Sequence, residues 1–149
     1  MLNLSTVRRV GTGLLCSILM AVPLMAQNQT PPPAVQQADK LFQAMKWPEA
    51  AKAYEEMAKA DPHNGRAWYH LGVSPHHMGL YERAIEAYQK APNLFNNPIL
   101  MYNLACSYAK LGNKGKAFEW LNKAVGAGFG QLEALKSDAD LASLKDWRA

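Results

Sequence analysis

The chain has few cysteines and little excess of either charge, and these two shortages exclude several kinds of protein. Its 149 residues include two cysteines, Cys16 and Cys106, and the first lies in a segment that we expect to be removed. The mature chain would then form no intrachain disulfide and no C-x-x-C redox or zinc pair. Cys106 lies in a helical pattern and is expected to be a buried thiol.

The charge balance argues against nucleic acid as a partner. The formal net charge of +4 falls to +2 without Arg8 and Arg9 of the removed segment. No run of Lys and Arg alternates with aromatic residues, which a groove that follows a phosphate backbone would need.

Motifs for catalysis and cofactor binding are also missing from the sequence. It contains no glycine-rich phosphate loop, no G-x-S-x-G turn and no H-E-x-x-H pair. His70 and His77 share a helical face but are seven residues apart, whereas zinc-binding pairs are usually about four apart with Cys or carboxylate ligands nearby. We predict no catalytic residue, no metal site and no cofactor. The alternative, a metal-handling protein that uses the histidines, would bind zinc or copper when purified.

Residues 1–26 have the three-part layout of a secretory signal peptide. Arg8 and Arg9 give a positive start, residues 11–25 are uncharged and mostly apolar, and a polar segment begins after Ala26. We predict cleavage after Ala26 and export to the periplasm or the extracellular space. The apolar run is shorter than the roughly 20 residues of a membrane span, so the mature protein should have no stable span. A lipoprotein anchored at Cys16 is a weaker alternative, because the bulky Leu15 precedes it. Residues 27–33 include three consecutive prolines and are predicted to be a linker.

The rest of the sequence repeats with a nearly constant period of roughly 34 residues. The pattern Trp68-x-x-Leu71-Gly72 has counterparts one period later and one period earlier, and a second set of landmarks keeps the same phase. The landmarks are Ala38, Gly72 and Ala105 in the first set, and Ala50, Ala84 and Ala117, followed by Tyr54, Tyr88 and Leu121, in the second. Their spacing puts them on one helical face. Because an ordinary bundle needs no fixed period, we predict stacked units of two helices each.

Residues 66–72 and 81–91 resemble tetratricopeptide (TPR) repeats almost at consensus. The resemblance implies an all-α fold, a right-handed superhelical stack of three TPR helix pairs plus a C-terminal capping helix, preceded by the signal peptide. The expected units are residues 31–64, 65–97 and 98–131, and the cap is 132–149. Residues 128–144 resemble the segment that closes TPR arrays in many exported bacterial proteins. We expect the last apolar face to be covered by Leu135, Leu141, Leu144 and Trp147.

Two prolines depart from the family pattern in unit two. Pro75 stands where the family usually has an aromatic residue, and it removes a helical hydrogen bond to the carbonyl of Leu71. We therefore expect the helix to kink or break between residues 72 and 75. Pro92 should end the second helix of this unit at about Ala91, and the loop that follows is one residue short.

The resemblance implies a concave groove lined by the first helix of each unit, and therefore a protein-binding scaffold rather than an enzyme. The groove residues expected to bind a peptide segment of another exported protein are Arg66, Tyr69, His70, His77, Tyr102, Asn103 and Lys110; the same register includes Gln36, Asp39, Gln43, Val73 and Cys106. Asn suits a peptide backbone and the cations suit a carboxylate. Two alternatives remain open: these side chains are merely solvated, or the chain is the N-terminal TPR part of a larger exported protein whose enzymatic or other domain is absent.

Overall fold

The computed structural model describes residues 31–144, except the side chains of residues 132 and 134. This part of the chain contains helices and no strand. The α-helices are α1 (Pro33–Gln43), α2 (Trp47–Ala60), α3 (Gly65–His77), α4 (Tyr81–Lys90), α5 (Pro98–Lys110), α6 (Lys114–Gly126) and α7 (Leu132–Ser137), and two 3-10 helices span Leu94–Asn96 and Ala139–Leu144. The predicted signal peptide lies outside the described residues. Helix α1 begins at Pro33, within the segment predicted as linker, because proline is tolerated in the first helical turn.

Asparagine residues fix where three of the helices begin. The side chains of Asn64, Asn97 and Asn113 each accept a hydrogen bond from the backbone N–H three residues later, at 3.0, 3.1 and 3.2 Å. Each bond satisfies one of the amide groups that the first turn of a helix leaves unpaired. These caps start α3, α5 and α6, so local sequence sets the register of units two and three.

The turns inside the three units share a left-handed residue at equivalent positions. Gly79 and Gly112 both have φ of 75°, and each follows the first helix of its unit. The equivalent residue of unit one is Met45, with φ of 55°. A side chain in this region of φ is strained, whereas glycine is not. Unit one therefore keeps the turn of its neighbours with a less suitable residue.

Small residues allow the two helices of each unit to approach closely. Ala38, Ala50, Ala84, Ala105 and Ala117 are completely buried. A Cβ added to Gly72 would overlap the ring of Tyr88, so this contact between α3 and α4 requires glycine. The predicted stack of TPR helix pairs is confirmed, with the landmark residues at its helix contacts.

Helix α3 continues through Pro75 to His77, so the predicted break at residues 72–75 is wrong. Only two helical residues follow Pro75, which limits the structure that the missing N–H can disturb. The ends of the helix are also bonded locally, since the Ser74 hydroxyl donates to the His70 carbonyl at 2.9 Å and the Met78 N–H donates to the Pro75 carbonyl at 3.0 Å. Helix α4 ends at Lys90, next to the expected boundary.

The segment after α6 covers the end of the stack. Phe129 is buried and its ring stacks on Tyr102, with centroids 4.4 Å apart. Leu141 and Leu144 are buried, and Leu135 packs against the same core, as the sequence predicted. Trp147, the fourth residue expected in this role, lies outside the described residues. We call residues 138–144 the tail.

Candidate peptide-binding site

Four of the predicted groove residues surround one cavity between α3 and α5. Tyr69 and His77 of α3 and Tyr102 and Asn103 of α5 line a space of about 230 Å³. Residues four apart in α3, such as Tyr69 and Val73, lie on one face and point into the same space. The side chain of Asn103 makes no hydrogen bond to the described residues, so its amide remains free to bond a peptide backbone.

The tail contributes two carboxylates to the wall of this cavity. Tyr102 donates its hydroxyl to Asp138 Oδ2 at 2.5 Å, and His76 Nε2 lies 2.8 Å from Asp140 Oδ2. Lys110 Nζ lies 3.7 Å from Asp140 Oδ1. The Ser143 hydroxyl also donates to the Ala109 carbonyl at 3.2 Å. A hydroxyl, an imidazole and an ammonium group of the two helices therefore hold an acidic segment of the same chain.

His76 is itself held in place from α5. Its Nδ1 lies 2.8 Å from the Ser107 hydroxyl oxygen, and that hydroxyl donates to the Asn103 carbonyl at 3.1 Å. The Ser107 hydroxyl thus lies between His76 Nδ1 and the Asn103 carbonyl, while His76 Nε2 faces Asp140. The ring is thus oriented between a fixed serine and the carboxylate of Asp140.

A second polar cluster lies at the other end of the groove, where units one and two meet. Asp39 Oδ1 accepts hydrogen bonds from the Tyr54 hydroxyl at 2.7 Å and from Arg66 at 2.6 Å. Burial alone would raise the pKa of Asp39, but these hydrogen bonds and the charge of Arg66 bring it below its ordinary value. Burial, followed by the hydrogen bond to Asp39, raises the pKa of Tyr54. Arg66 is thereby paired within the protein.

His70 lies among aromatic rings rather than against the cavity. It stacks on Tyr54 with centroids 4.6 Å apart, and Phe42 meets it edge-on at 4.5 Å. Its Nδ1 is buried without a hydrogen-bond partner in the described part of the chain. Burial, with a smaller contribution from the charge of Arg66, lowers the pKa of His70 to about 4. The ring is therefore neutral at neutral pH and packs like an apolar side chain.

Four of the predicted residues also make contacts at the edges of the site. His77 is exposed and stacks on Trp47 at 4.4 Å. Lys110 lies near the Tyr81 ring, with Nζ 5.7 Å from its centroid, and reaches Asp140. Arg66 and Tyr69 border a neighbouring cavity of about 430 Å³ at the start of α3. Tyr69 is thus the residue that joins both cavities.

Sequence reasoning missed the three residues that connect the tail to the groove. These are His76, Asp138 and Asp140, whose bonds span 36 and 64 residues of sequence. The sequence contains one usable signal, two aspartates spaced by one residue in the cap. The sequence predicts that the leucines of that segment pack against the core, but it indicates no partner for the two aspartates.

Cys106 is buried next to this site, as predicted, and burial raises its pKa, so the group stays a thiol. In the described part of the chain, no three His, Cys, Asp or Glu side chains are grouped closely enough to hold a metal ion. None of the described helices is long and apolar enough to cross a membrane.

Two family models, both described as tetratricopeptide repeat, match residues 35–98 and residues 99–127. Together they match most of the chain, which belongs to the tetratricopeptide repeat family. Repeats of this kind typically form non-enzymatic scaffolds, and the repeats of this chain support a scaffold for protein–protein interaction.

Solved structures with the same fold are similar to this chain at low sequence identity. A structure of MamA is 26% identical, with a TM-score of 0.63, and the match covers 72% of this chain and 64% of that one. PcrH from Pseudomonas aeruginosa is 23% identical, with a TM-score of 0.61, over 72% and 85% of the two chains. PcrH in complex with the chaperone binding region of PopD is 24% identical, with a TM-score of 0.62, over 66% and 74%. No curated protein sequence matches the chain.

Proposed function

We propose that this chain is an exported scaffold that binds an acidic segment of a partner protein in the groove between α3 and α5. The observation that carries the proposal is the way the tail is held. Tyr102, His76 and Lys110 already bind the carboxylates of Asp138 and Asp140. Groups that bind two carboxylates of their own chain have the chemistry to bind those of another.

The spacing of these groups suits an extended ligand. Asp138 and Asp140 are two residues apart and meet donors on two different helices, so one short segment contacts both α3 and α5. Hydrogen bonds to ionised groups are stronger than neutral ones, which favours aspartate or glutamate at these positions of the ligand. Beyond the carboxylates, the cavity offers the Asn103 amide and the ring of Tyr69.

The tail would act as a competitor within the molecule. It is held by hydrogen bonds to α3 and α5 and by two buried leucines, Leu141 and Leu144. A partner segment with the same acidic pattern would bind the hydrogen-bond donors that become free when the tail dissociates. In the complex of PcrH with the chaperone binding region of PopD, a protein of similar fold is bound to a segment of another protein; that likeness supports the proposal only at the level of fold.

Export is the second part of the proposal, and it rests on residues 1–26. Mass spectrometry of the mature protein should find Gln27, or a residue within a few positions of it, at the N-terminus. An intact Met1 in a cytosolic fraction would rule out export without affecting the proposed groove.

A synthetic peptide of residues 136–146 is the probe for the groove. The receptor is the full chain with Asp138→Asn and Asp140→Asn, which weaken the tail's own hold. We expect binding in the micromolar range, roughly −8 kcal/mol, because only a few residues make contact. The same peptide with Asn at positions 138 and 140 should bind at least about tenfold more weakly, the equivalent of one hydrogen bond to a charged group.

Two variants of the receptor test whether the peptide binds in the groove. Tyr102→Phe removes the hydroxyl that meets Asp138 and should weaken the peptide about tenfold. Tyr108→Phe is the matched control, since its hydroxyl accepts a hydrogen bond from Gln89, outside the groove, and it should leave binding unchanged. Equal affinity of both variants would contradict the proposed site.

A further inference from the structure

A second cavity lies between α2, α3 and α4, apart from the groove. Its volume is about 240 Å³, and it is bordered by Glu55, Trp68, Leu71, Pro75, Arg83 and Ala87, among others. The second helices of units one and two form two of its walls, whereas the groove is formed by first helices. Pro75, completely buried, lies at its base.

The equivalent place in unit three is filled by a tyrosine ring. Tyr108 stands one repeat after Pro75 and is 6% exposed. Its hydroxyl accepts a hydrogen bond from Gln89 Nε2 at 3.0 Å, and Lys116 Nζ lies 5.2 Å from its ring centroid. Gln89 is the repeat counterpart of Glu55, and Lys116 is that of Arg83. The two residues that meet Tyr108 thus have counterparts beside Pro75 without a ring between them, whereas Trp68 of the cavity wall stands where unit three has Met101.

The two units also differ at a second position that borders this space. The position of Ala87 in unit two is occupied in unit three by Trp120, which is 8% exposed. Proline and alanine thus replace tyrosine and tryptophan at neighbouring positions of one helix pair. Around this space the second repeat keeps apolar walls that include Trp68 and Leu71, and at its edge lie the ion pairs Lys59–Glu55 and Lys90–Glu86 and the side chain of Arg83.

We propose that this cavity binds a tyrosine side chain of a partner protein. The ring would lie on Leu71, Pro75 and Ala87, with the Arg83 guanidinium against its face as Lys116 lies against Tyr108. Glu55 has replaced the amide of Gln89 by a carboxylate, which only accepts hydrogen bonds; Lys59 Nζ lies 3.1 Å from its Oε1, so the occupant would bring a donor for its Oε2. A phenol supplies that donor, whereas phenylalanine and leucine do not. Residues 1–30 contain no aromatic residue, so they cannot supply the ring.

Binding of p-cresol and of N-acetyl-tyrosinamide to the full chain tests the proposal. Nuclear magnetic resonance titrations should show saturable binding of both in the millimolar range, with shifts at Leu71 and Ala87. Toluene, which lacks the hydroxyl, should bind about tenfold more weakly. Failure of p-cresol to saturate overturns the site. If p-cresol binds but N-acetyl-tyrosinamide does not, the assignment of the cavity to a protein side chain is overturned.

Filling the cavity from within should abolish this binding. Pro75→Tyr restores the ring of unit three and a helical N–H, and should raise the melting temperature by several degrees. Ala87→Trp fills the same space from α4, in case the first variant does not fold. Glu82→Gln, exposed on α4 and outside the cavity, is the control and should bind p-cresol normally. Unchanged p-cresol binding in both filled variants overturns the proposal, as does an unchanged or lower melting temperature of Pro75→Tyr.

Sedimentation distinguishes a partner protein from a second copy. The full chain should remain monomeric at concentrations where the tyrosine probes bind. Dimerisation that Pro75→Tyr abolishes would assign the cavity to self-association and overturn the partner proposed here.

Discussion

The two ends of the groove hold carboxylates in similar ways but differ in where those carboxylates come from. At the first end, Asp39 belongs to α1 and is held by Tyr54 and Arg66. At the second, Asp138 and Asp140 belong to the tail and are held by Tyr102, His76 and Lys110. The first acid is built into a helix of the stack, whereas the second pair lies on a segment after the repeats. The comparison shows the same kind of contact made within the repeats and made to a segment that follows them, and the proposed function requires only the second contact to be exchangeable for a ligand.

The largest expected effect comes from breaking the first end. Asp39→Ala leaves the buried Tyr54 hydroxyl and Arg66 without their acceptor, which should cost about 2 kcal/mol of unfolding free energy. Urea unfolding followed by circular dichroism measures it. Glu86→Ala, which breaks an exposed ion pair with Lys90, is the control and should leave the unfolding free energy almost unchanged. Similar costs for the two variants would show that the first end does not serve the fold as described.

Removing the two carboxylates of the tail, at the second end, should lower the unfolding free energy less and should affect only the nearby residues. Asp138→Asn with Asp140→Asn should lower the unfolding free energy by about 1 kcal/mol, because these side chains are partly exposed. Amide exchange should accelerate in residues 138–144 while α3 and α5 keep their protection. Faster exchange throughout α5 would mean that the tail is part of the cooperative fold and not an exchangeable segment.

His70 makes the first end sensitive to acid. Its folded pKa of about 4 lies below the ordinary value of 6.5, so between these values the unfolded chain binds a proton that the folded chain does not. Stability is therefore full above pH 6.5 and falls as the pH falls toward 4. The loss should be about 1 kcal/mol, reduced because water partly screens the ring.

Melting curves between pH 7 and pH 4 measure this dependence. His70→Phe keeps the ring packing and should flatten the curve in that interval, whereas His63→Phe, on an exposed turn, should not. A curve that keeps its slope in the His70 variant would contradict the burial described for this ring.

The smallest effect expected is a gain at the turn between α1 and α2. Met45→Gly gives unit one the residue that its neighbours have at Gly79 and Gly112, and should stabilise the chain by about 0.5 kcal/mol. Thermal unfolding would show it, and Met45→Ala should show no comparable gain, since alanine keeps the strained backbone.

The repeat and its helix contacts were predictable from sequence because they are local or periodic. Ala38, Gly72 and Ala105 recur at fixed spacing, and a glycine or alanine at a close helix contact has a steric cause. The continuity of α3 was not predicted, because the effect of Pro75 depends on how few residues follow it. The sequence pattern places Pro75 in a helix, but it does not give the distance of Pro75 from the end of that helix.

The candidate site was only partly predictable for a related reason. Tyr69, Tyr102 and Asn103 follow from the register of the first helices, and the structure places them around one cavity. The partners Asp138 and Asp140 come from a segment outside the periodic pattern, so the repeat period does not point to them. The position of His70 depends on Phe42 and Tyr54 of another unit, which determine whether the ring faces the cavity or packs among aromatic residues.

Chemical-shift mapping of the bound peptide is the most direct test of whether the groove between α3 and α5 binds an acidic segment. The peptide of residues 136–146 is titrated into the receptor with Asp138→Asn and Asp140→Asn while its backbone resonances are followed. We expect chemical-shift changes centred on Tyr69, Tyr102 and Asn103. The double variant Tyr69→Ala with Asn103→Ala should lose binding while it retains the helical circular-dichroism signal. Shifts confined to Leu141, Leu144 and α6, with binding that survives this double change, would place the binding face on the cap and contradict the groove.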